Sequence, residues 1–371
     1  MRAERSNLKH KDGLSACYAR DCHGPSGLAM TFCKRFLQSN FRFERNSKMT
    51  DEVLKLQSLR KEDIPADLRA ETYFDFNAHP FEHQRLFEQA DSVYAAILGI
   101  DEYATKWLAD TIAKKRSAAR AFKDKTPKPA HTIGNFEVLL EDGVVFEPAR
   151  IIGRVPALRG PSQKDDLRYS IYVGKDARVI GSCLHLENGS IYIGAGTTVE
   201  PGVGIKGPVI IGRETELRQG AYLRGDCIIG DGCTIRGEIK NCVLMDKANF
   251  PHPSYLGDSL CGYMTHFGNQ ATTANLGIFA GLVEKHQRKP LVIRCNGRAY
   301  DIGNPKMGIC MGDYSQVGCN SVSDPGTFLK PYTIVYSLAR ISKGFYGPYE
   351  VLKNKPLEHG VIERSPYKPP T

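Results

Sequence analysis

From residue 193 to 235 an aliphatic side chain stands at every sixth position: Ile193, Val199, Ile205, Ile211, Leu217, Leu223, Ile229 and Ile235. Neither the two-residue alternation of a strand with one face in water nor the 3.6-residue period of a helix produces that spacing. A second beat runs with it, because Gly194, Gly212 and Gly230 recur every eighteen residues, which is three sixes. A six-residue step suits one short strand and one corner, and three steps close a triangular coil with the aliphatic residue inside and a small residue at the bend. Stacked coils then cover one another's apolar edges with parallel strands. The beat returns at Met311, Val317, Ser323, Leu329 and Val335, with Gly312 and Gly318 behind the first two. The spacing therefore predicts a mainly β chain built around a parallel β-helix.

The rest of the chain divides around that repeat. Residues 1–48 show no periodicity and read as a disordered or non-native leader, with Met49 the expected natural start. Residues 49–130 read as a small helical region, clearest over 83–113, where apolar residues recur at three and four. A linker is expected at 123–129, and two short strands at 136–140 and 144–146 around the turn Glu141-Asp142-Gly143. The β-helix domain is placed at 131–343 with an excursion at 276–304, followed by a C-terminal tail at 344–371. Over 241–305 the six-residue rule fails and Lys247, His252, Tyr255, Asp258, His266, Asn269 and Asn275 gather. Rigid scaffolds tend to carry their chemistry on such interruptions, so a site is expected there.

Composition narrows the function classes. No run approaches the ~18 apolar residues of a membrane span and no secretory signal precedes the fold, which predicts a cytoplasmic protein with no membrane partner. The eleven cysteines lack C-x-x-C pairs and zinc spacing, so they are expected as core thiols, with no metal site. The net charge is +9, but residues 1–48 hold ten lysines and arginines against four acids. The remainder is nearly balanced, which argues against a nucleic-acid-binding face.

The segment around residue 250 resembles a known family. Residues 247–259, KANFPHPSYLGDS, and 268–276, GNQATTANL, are similar to the acetyltransferase half of the bifunctional N-acetylglucosamine-1-phosphate uridyltransferases. They resemble still more the C-terminal domain of archaeal-type sugar-1-phosphate nucleotidyltransferases, as does DIGNPKMGICMGDYSQVGCNSVSDPG at 301–326. The resemblance covers roughly 170–340. It implies a left-handed parallel β-helix of the trimeric type, a homotrimer with sites shared between neighbouring chains, and acetyl-CoA as co-substrate.

Carried over residue by residue, the resemblance makes His252 the general base, Tyr255 a sugar contact and Asn275, twenty-three residues on, the asparagine that orients the reacting groups. Lys240, twelve before the histidine, and Arg224 match sugar-phosphate-binding positions, and Lys285, Lys289 and Lys306 are candidates for further phosphate or CoA contacts. The chemistry suits those types. An amino sugar must lose a proton before its nitrogen attacks a thioester, which a neutral imidazole can accept. The oxyanion then formed needs a donor, expected from Asn275 or a backbone N–H near Gly268. A phosphate calls for fixed positive charge from arginine and lysine.

Two departures accompany the likeness. Gly268-Asn269-Gln270-Ala271 stands where small residues usually precede the oxyanion loop, and no G-x-G-T-R loop marks a nucleotidyltransferase domain. The sequence thus supports a CoA-dependent acetyl- or acyltransferase acting on an amino-sugar phosphate or nucleotide sugar. The alternatives are a non-catalytic sugar-phosphate-binding or oligomerising module, and a divergent sugar-1-phosphate nucleotidyltransferase-family protein of the UDP-N-acetylglucosamine pyrophosphorylase kind.

Overall fold

The computed structural model describes residues 52–117, 120–121, 131–153, 169–354 and 362–366. The leader 1–48 and the linker 123–129 lie outside them. Short parallel strands stack into three ladders, the sides of a triangular solenoid. Side two forms an eleven-stranded sheet closed by Ile362–Pro366, which is antiparallel to Glu350–Asn354. The six-residue beat is visible in the register: Ile193 pairs with Ile211 and then Ile229 on side one, Val199 with Leu217 and Ile235 on side two, and Ile205 with Leu223 on side three. All eight of these side chains are at most 1% exposed and belong to one continuous core. Each contributes about 1.5–3 kcal/mol by leaving water.

The eighteen-residue glycine beat has a steric cause. A Cβ on Gly194 would lie 2.4 Å from the carbonyl carbon of Gly212, and one on Gly212 would lie 2.5 Å from that of Gly230. Successive coils pass that corner too closely for any side chain.

The coil continues where the sequence rule fails. Strands Glu238–Leu244 and Tyr255–Cys261 each run through a side-three segment and a side-one segment without a gap. Only a single residue turns the corner within each, so Ile229 pairs with Leu244 fifteen residues on instead of eighteen. The shorter step hides the period from a search at six. Side-two and side-three strands follow at His266–Phe267 and Thr272–Thr273, and the true excursion begins only after Asn275. At the other end, Gly344–Tyr346 and Glu350–Asn354 still add parallel strands to the stack. The coil therefore extends past residue 343 into the segment expected as a tail.

The helical region covers side one. Its strands are apolar at three consecutive positions, as in Val209–Ile211, Cys227–Ile229 and Ile309–Met311, because they are buried on both faces. The middle residues line up outside the prism as one ladder: Leu139, Tyr172, Tyr192, Ile210, Ile228, Val243, Leu260, Cys310, Phe328 and Phe345. Against the ladder pack the four-residue helix α1 (Arg85–Glu88), the long helix α2 (Val93–Lys115) and a string of 3-10 turns before them. Ser92 caps α2, its hydroxyl accepting from the Ala95 N–H at 3.0 Å, and Ile97, Ile100, Ala104, Leu108 and Ile112 form the buried stripe. The excursion contributes a hairpin, Val292–Cys295 with Arg298–Asp301, turned at Asn296-Gly297 with positive φ at both residues. Strand Val53–Lys55 adds to it in parallel.

Cys227, Cys233, Cys242 and Cys261 point into the solenoid core, and Cys295 and Cys310 lie under the cover, whereas Cys319 is exposed. Among the described residues no group of three His, Cys, Asp or Glu is placed to hold a metal ion.

Candidate active site

The corner from side three to side one changes down the stack. It is Gly207-Pro208 in an upper coil, contains Gly225-Asp226 in the next, and shrinks to Asn241 and then Asp258, each with φ of 51°. Asn and Asp are the non-glycine residues that best tolerate this left-handed conformation. One coil further the corner opens into the excursion.

On the solvent face of side three, Lys206, Arg224, Lys240 and Gly257 occupy the same position of successive strands, one rung of about 4.8 Å apart. At Gly257 the row of cations loses its side chain and the space is filled from below. A Cβ there would lie 2.6 Å from the Tyr255 hydroxyl and 2.8 Å from Nδ2 of Asn275. Nδ2 of Asn275 donates to Oδ2 of Asp258 at 2.5 Å and to the Tyr255 hydroxyl at 3.2 Å. Nδ2 of Asn241 donates to the other Asp258 oxygen at 2.9 Å, and Nζ of Lys240 stands 3.9 Å from it. Asp258 is only 5% exposed, so these donors are what make its carboxylate tolerable there. Burial, and then the Asp258 charge, push the Tyr255 hydroxyl up from its ordinary pKa, so it remains a donor.

The excursion is tied to this cluster at its neck. The Asn275 carbonyl accepts from the Met307 N–H at 3.0 Å, and Leu276 bridges Lys306 in antiparallel sense. Of the three candidate lysines, Lys306 therefore has its backbone at the neck, whereas Lys285, on the exposed 3-10 turn Lys285–Gln287, and Lys289, just after it and also exposed, make no hydrogen bond to the cluster among the described residues. Arg224 is exposed and ion-paired with Glu238, whose hydrogen bond raises the guanidinium pKa.

His252 is placed differently. It is exposed between Pro251 and Pro253, on the corner from side two to side three, which is the opposite edge of side three from Asp258 and Asn275. Burial, and then the neighbouring His252, lower the pKa of His266. Among the described residues it makes no recorded hydrogen bond to Tyr255, Asp258 or Asn275. The fold of one chain thus gathers Lys240, Tyr255, Asp258 and Asn275, sets the Lys306 backbone at the neck beside them, and leaves His252 apart.

The expected oxyanion donors are engaged. The Gly268 N–H donates to the Val317 carbonyl at 2.7 Å, since that glycine belongs to the coil ladder. Both N–H bonds of Asn275 are directed to Asp258 and Tyr255, so the atom it presents is its carbonyl oxygen, an acceptor. That oxygen can orient an amine or hydroxyl.

Three residues escaped the sequence reading, Asn241 and the acid pair Asp226–Asp101. Asp226 at the corner hydrogen-bonds Asp101 of α2, and burial followed by that neighbouring charge raises its pKa to about 6. The signal available was an Asp or Asn recurring at 226, 241 and 258, at steps shorter than the regular repeat.

Comparison with known proteins bears on the coils. No family model matches the chain. A bifunctional sugar-1-phosphate nucleotidylyltransferase/acetyltransferase of Sulfurisphaera tokodaii is 28% identical over 113 residues, 30% of this chain and 26% of that protein. The bifunctional protein GlmU of Methanococcus maripaludis is 30% identical over 89 residues, 24% of this chain and 20% of the relative, and that of Methanocaldococcus jannaschii matches to the same extent. This chain is a hexapeptide-repeat β-solenoid. The matched segment spans about a quarter or less of the length of these curated relatives. Among solved structures, an Arabidopsis UDP-N-acetylglucosamine acyltransferase is 12% identical over 53% of this chain and 70% of its own, with a TM-score of 0.20. A hexapeptide transferase family protein of Anaplasma phagocytophilum is 13% identical over 64% and 84%, with a TM-score of 0.14. Both superpositions are too loose to bear on function.

Proposed function

We propose that the protein is an acyltransferase acting on a sugar phosphate or nucleotide sugar that carries an amine. The observation that carries this reading is the row Lys206–Arg224–Lys240 ending at the Tyr255–Asn275–Asp258 cluster. A phosphate fits the cations, and the sugar's polar groups fit a hydroxyl donor and an amide acceptor immediately below. The similarity to proteins named as sugar-1-phosphate nucleotidylyltransferase/acetyltransferases supports the same substrate class.

In this reading acetyl-CoA is the co-substrate and His252 the base. The amine lone pair forms the new C–N bond at the thioester carbonyl, His252 accepts the amine proton, and the C–S bond breaks to release CoA, whose thiolate takes up a proton. Because His252 and the cluster occupy opposite edges of side three, the base in this proposal serves a neighbouring copy's cluster in a homotrimer. A cytoplasmic setting belongs to the same proposal.

The test is thiol release from acetyl-CoA in the presence of glucosamine-1-phosphate. Release that disappears in His252→Ala, with fold and oligomer unchanged, supports the proposal; release that persists in that variant removes the histidine from it. The isolation of His252 favours one second reading, a sugar-phosphate-binding module. Saturable binding of glucosamine-1-phosphate with no thiol release by the parent protein would establish that instead, and pyrophosphate formation from a nucleoside triphosphate and a sugar-1-phosphate would displace both.

A further inference from the structure

The excursion bears a surface that the candidate site does not use. Just beyond its neck the chain makes a 3-10 turn, Ile278–Leu282, in which Ile278, Phe279 and Leu282 are 85%, 80% and 80% exposed, with Val283 at 41% beside them. Other exposed apolar residues of the described chain are scattered, whereas here four fall within six positions. Large apolar side chains are costly to leave in water, and a clustered patch of that kind marks a contact surface. The turn has a defined shape, because Nε of Arg288 donates to the Ala280 carbonyl at 3.0 Å and the Ala280 N–H donates to Gly277 at 2.9 Å. Behind the tip, Lys285 and Lys289 are exposed and stand with Arg288 against a single acid, Glu284.

We propose that this apolar tip with its basic collar docks on an anionic lipid surface. Ile278, Phe279 and Leu282 enter the boundary between headgroups and acyl chains, and Lys285 and Lys289 meet the lipid phosphates. Charge selects this occupant over a second copy. Lys285, Arg288 and Lys289 stand against Glu284 alone, so an anionic leaflet attracts the collar, whereas the tip of a second copy bears the same collar and repels it. The expectation of no membrane partner rested on the lack of a spanning run, and a peripheral contact needs none. No helix of the described residues is long and apolar enough to cross a membrane. Since the excursion departs directly after Asn275, docking holds the candidate site near the lipid surface.

The experiment is co-sedimentation of the full chain with vesicles of phosphatidylcholine alone and of phosphatidylcholine mixed with phosphatidylglycerol. Binding is expected to the mixed vesicles only. It should fall more than ~ten-fold in the double variant Phe279→Glu/Leu282→Glu, which removes two inserted side chains worth upwards of 1.4 kcal/mol together. Lys285→Glu/Lys289→Glu should weaken it and flatten its dependence on salt. Failure of the parent to sediment, equal binding to both compositions, or undiminished binding by the tip variant, in which case the basic leader carries it, each overturns the proposal. A changed oligomer size in the tip variant without vesicle binding by the parent assigns the tip to a contact between copies and overturns it equally. None of these readouts depends on acyl transfer, so the two proposals stand or fall separately.

Discussion

The side-chain amide of Asn275 donates to the buried carboxylate of Asp258 at 2.5 Å, across the corner from which the excursion departs. Asp258 accepts from Asn241 on its other oxygen and lies within reach of Lys240. One carboxylate therefore fixes the amide at the neck, the corner of the coil above and the last cation of the row.

Removing that carboxylate should be costly. Asp258→Ala leaves two amide donors and a lysine without their acceptor, and a loss of about 3 kcal/mol in denaturant-induced unfolding is expected, with weaker sugar-phosphate binding. Asp258→Asn keeps the shape and should lose less. Unchanged stability in the alanine variant would show that the cluster is incidental to the corner.

Stability should also respond to the acid pair between α2 and the solenoid. The folded pKa of Asp226 is raised to about 6 from a model-peptide value near 3.8, chiefly by burial and then by Asp101. A raised carboxyl contributes stability that is fully present below pH ~3.8 and is lost as pH rises through about 6. Asp226→Asn should flatten that part of the stability profile, measured by urea unfolding from pH 4 to pH 7. A profile identical to the parent's would refute the raised Asp226 pKa.

The outer ladder of side one makes a claim about the cover. Ile228 and Ile229 are neighbours, one outside the prism and one inside, and both are 0% exposed. Truncating either to alanine is expected to cost roughly 2–5 kcal/mol. A bare outer face would make Ile228→Ala nearly silent, so equal thermal destabilisation of the two variants is the signature of α2 and the 3-10 turns packed over side one.

The three candidate lysines should separate. Lys306 lies at the neck beside Asn275, so Lys306→Ala is expected to weaken glucosamine-1-phosphate binding roughly ten-fold, as suits the loss of one charge-assisted contact. Lys285→Ala, on the exposed turn, should leave that affinity unchanged. Calorimetric titration of both variants distinguishes them, and the reverse ranking would move the phosphate subsite onto the excursion.

Much of the candidate site was legible because its members are spaced by chain geometry within two adjacent coils. Tyr255, Asp258 and Asn275 are brought together by strand pairing one rung apart, and Tyr255 pairs directly with Thr272. His252 belongs to the same sequence motif yet falls on another edge, since the two residues that separate it from Tyr255, Pro253 and Ser254, carry the chain around a corner. Spacing along the chain does not tell which side of a corner a residue faces. Gly268 reads in sequence as a free loop donor, but the coil continues through it and its N–H is bonded within the stack.

The sequence by itself determined the solenoid. A six-residue aliphatic beat with glycines at eighteen admits one way of burying every apolar residue, and strand register follows from it. Tertiary structure alone decided what covers side one, why the repeat shortens at Asn241 and Asp258, and which polar groups meet at Asn275. The reason is physical: a repeat specifies contacts between neighbouring coils, whose separation in sequence is constant. The fit of α2 and the 3-10 turns against a ladder of residues from ten different strands, and the reach of Asp258 to Asn275 around a one-residue corner, depend on distances that no local period encodes.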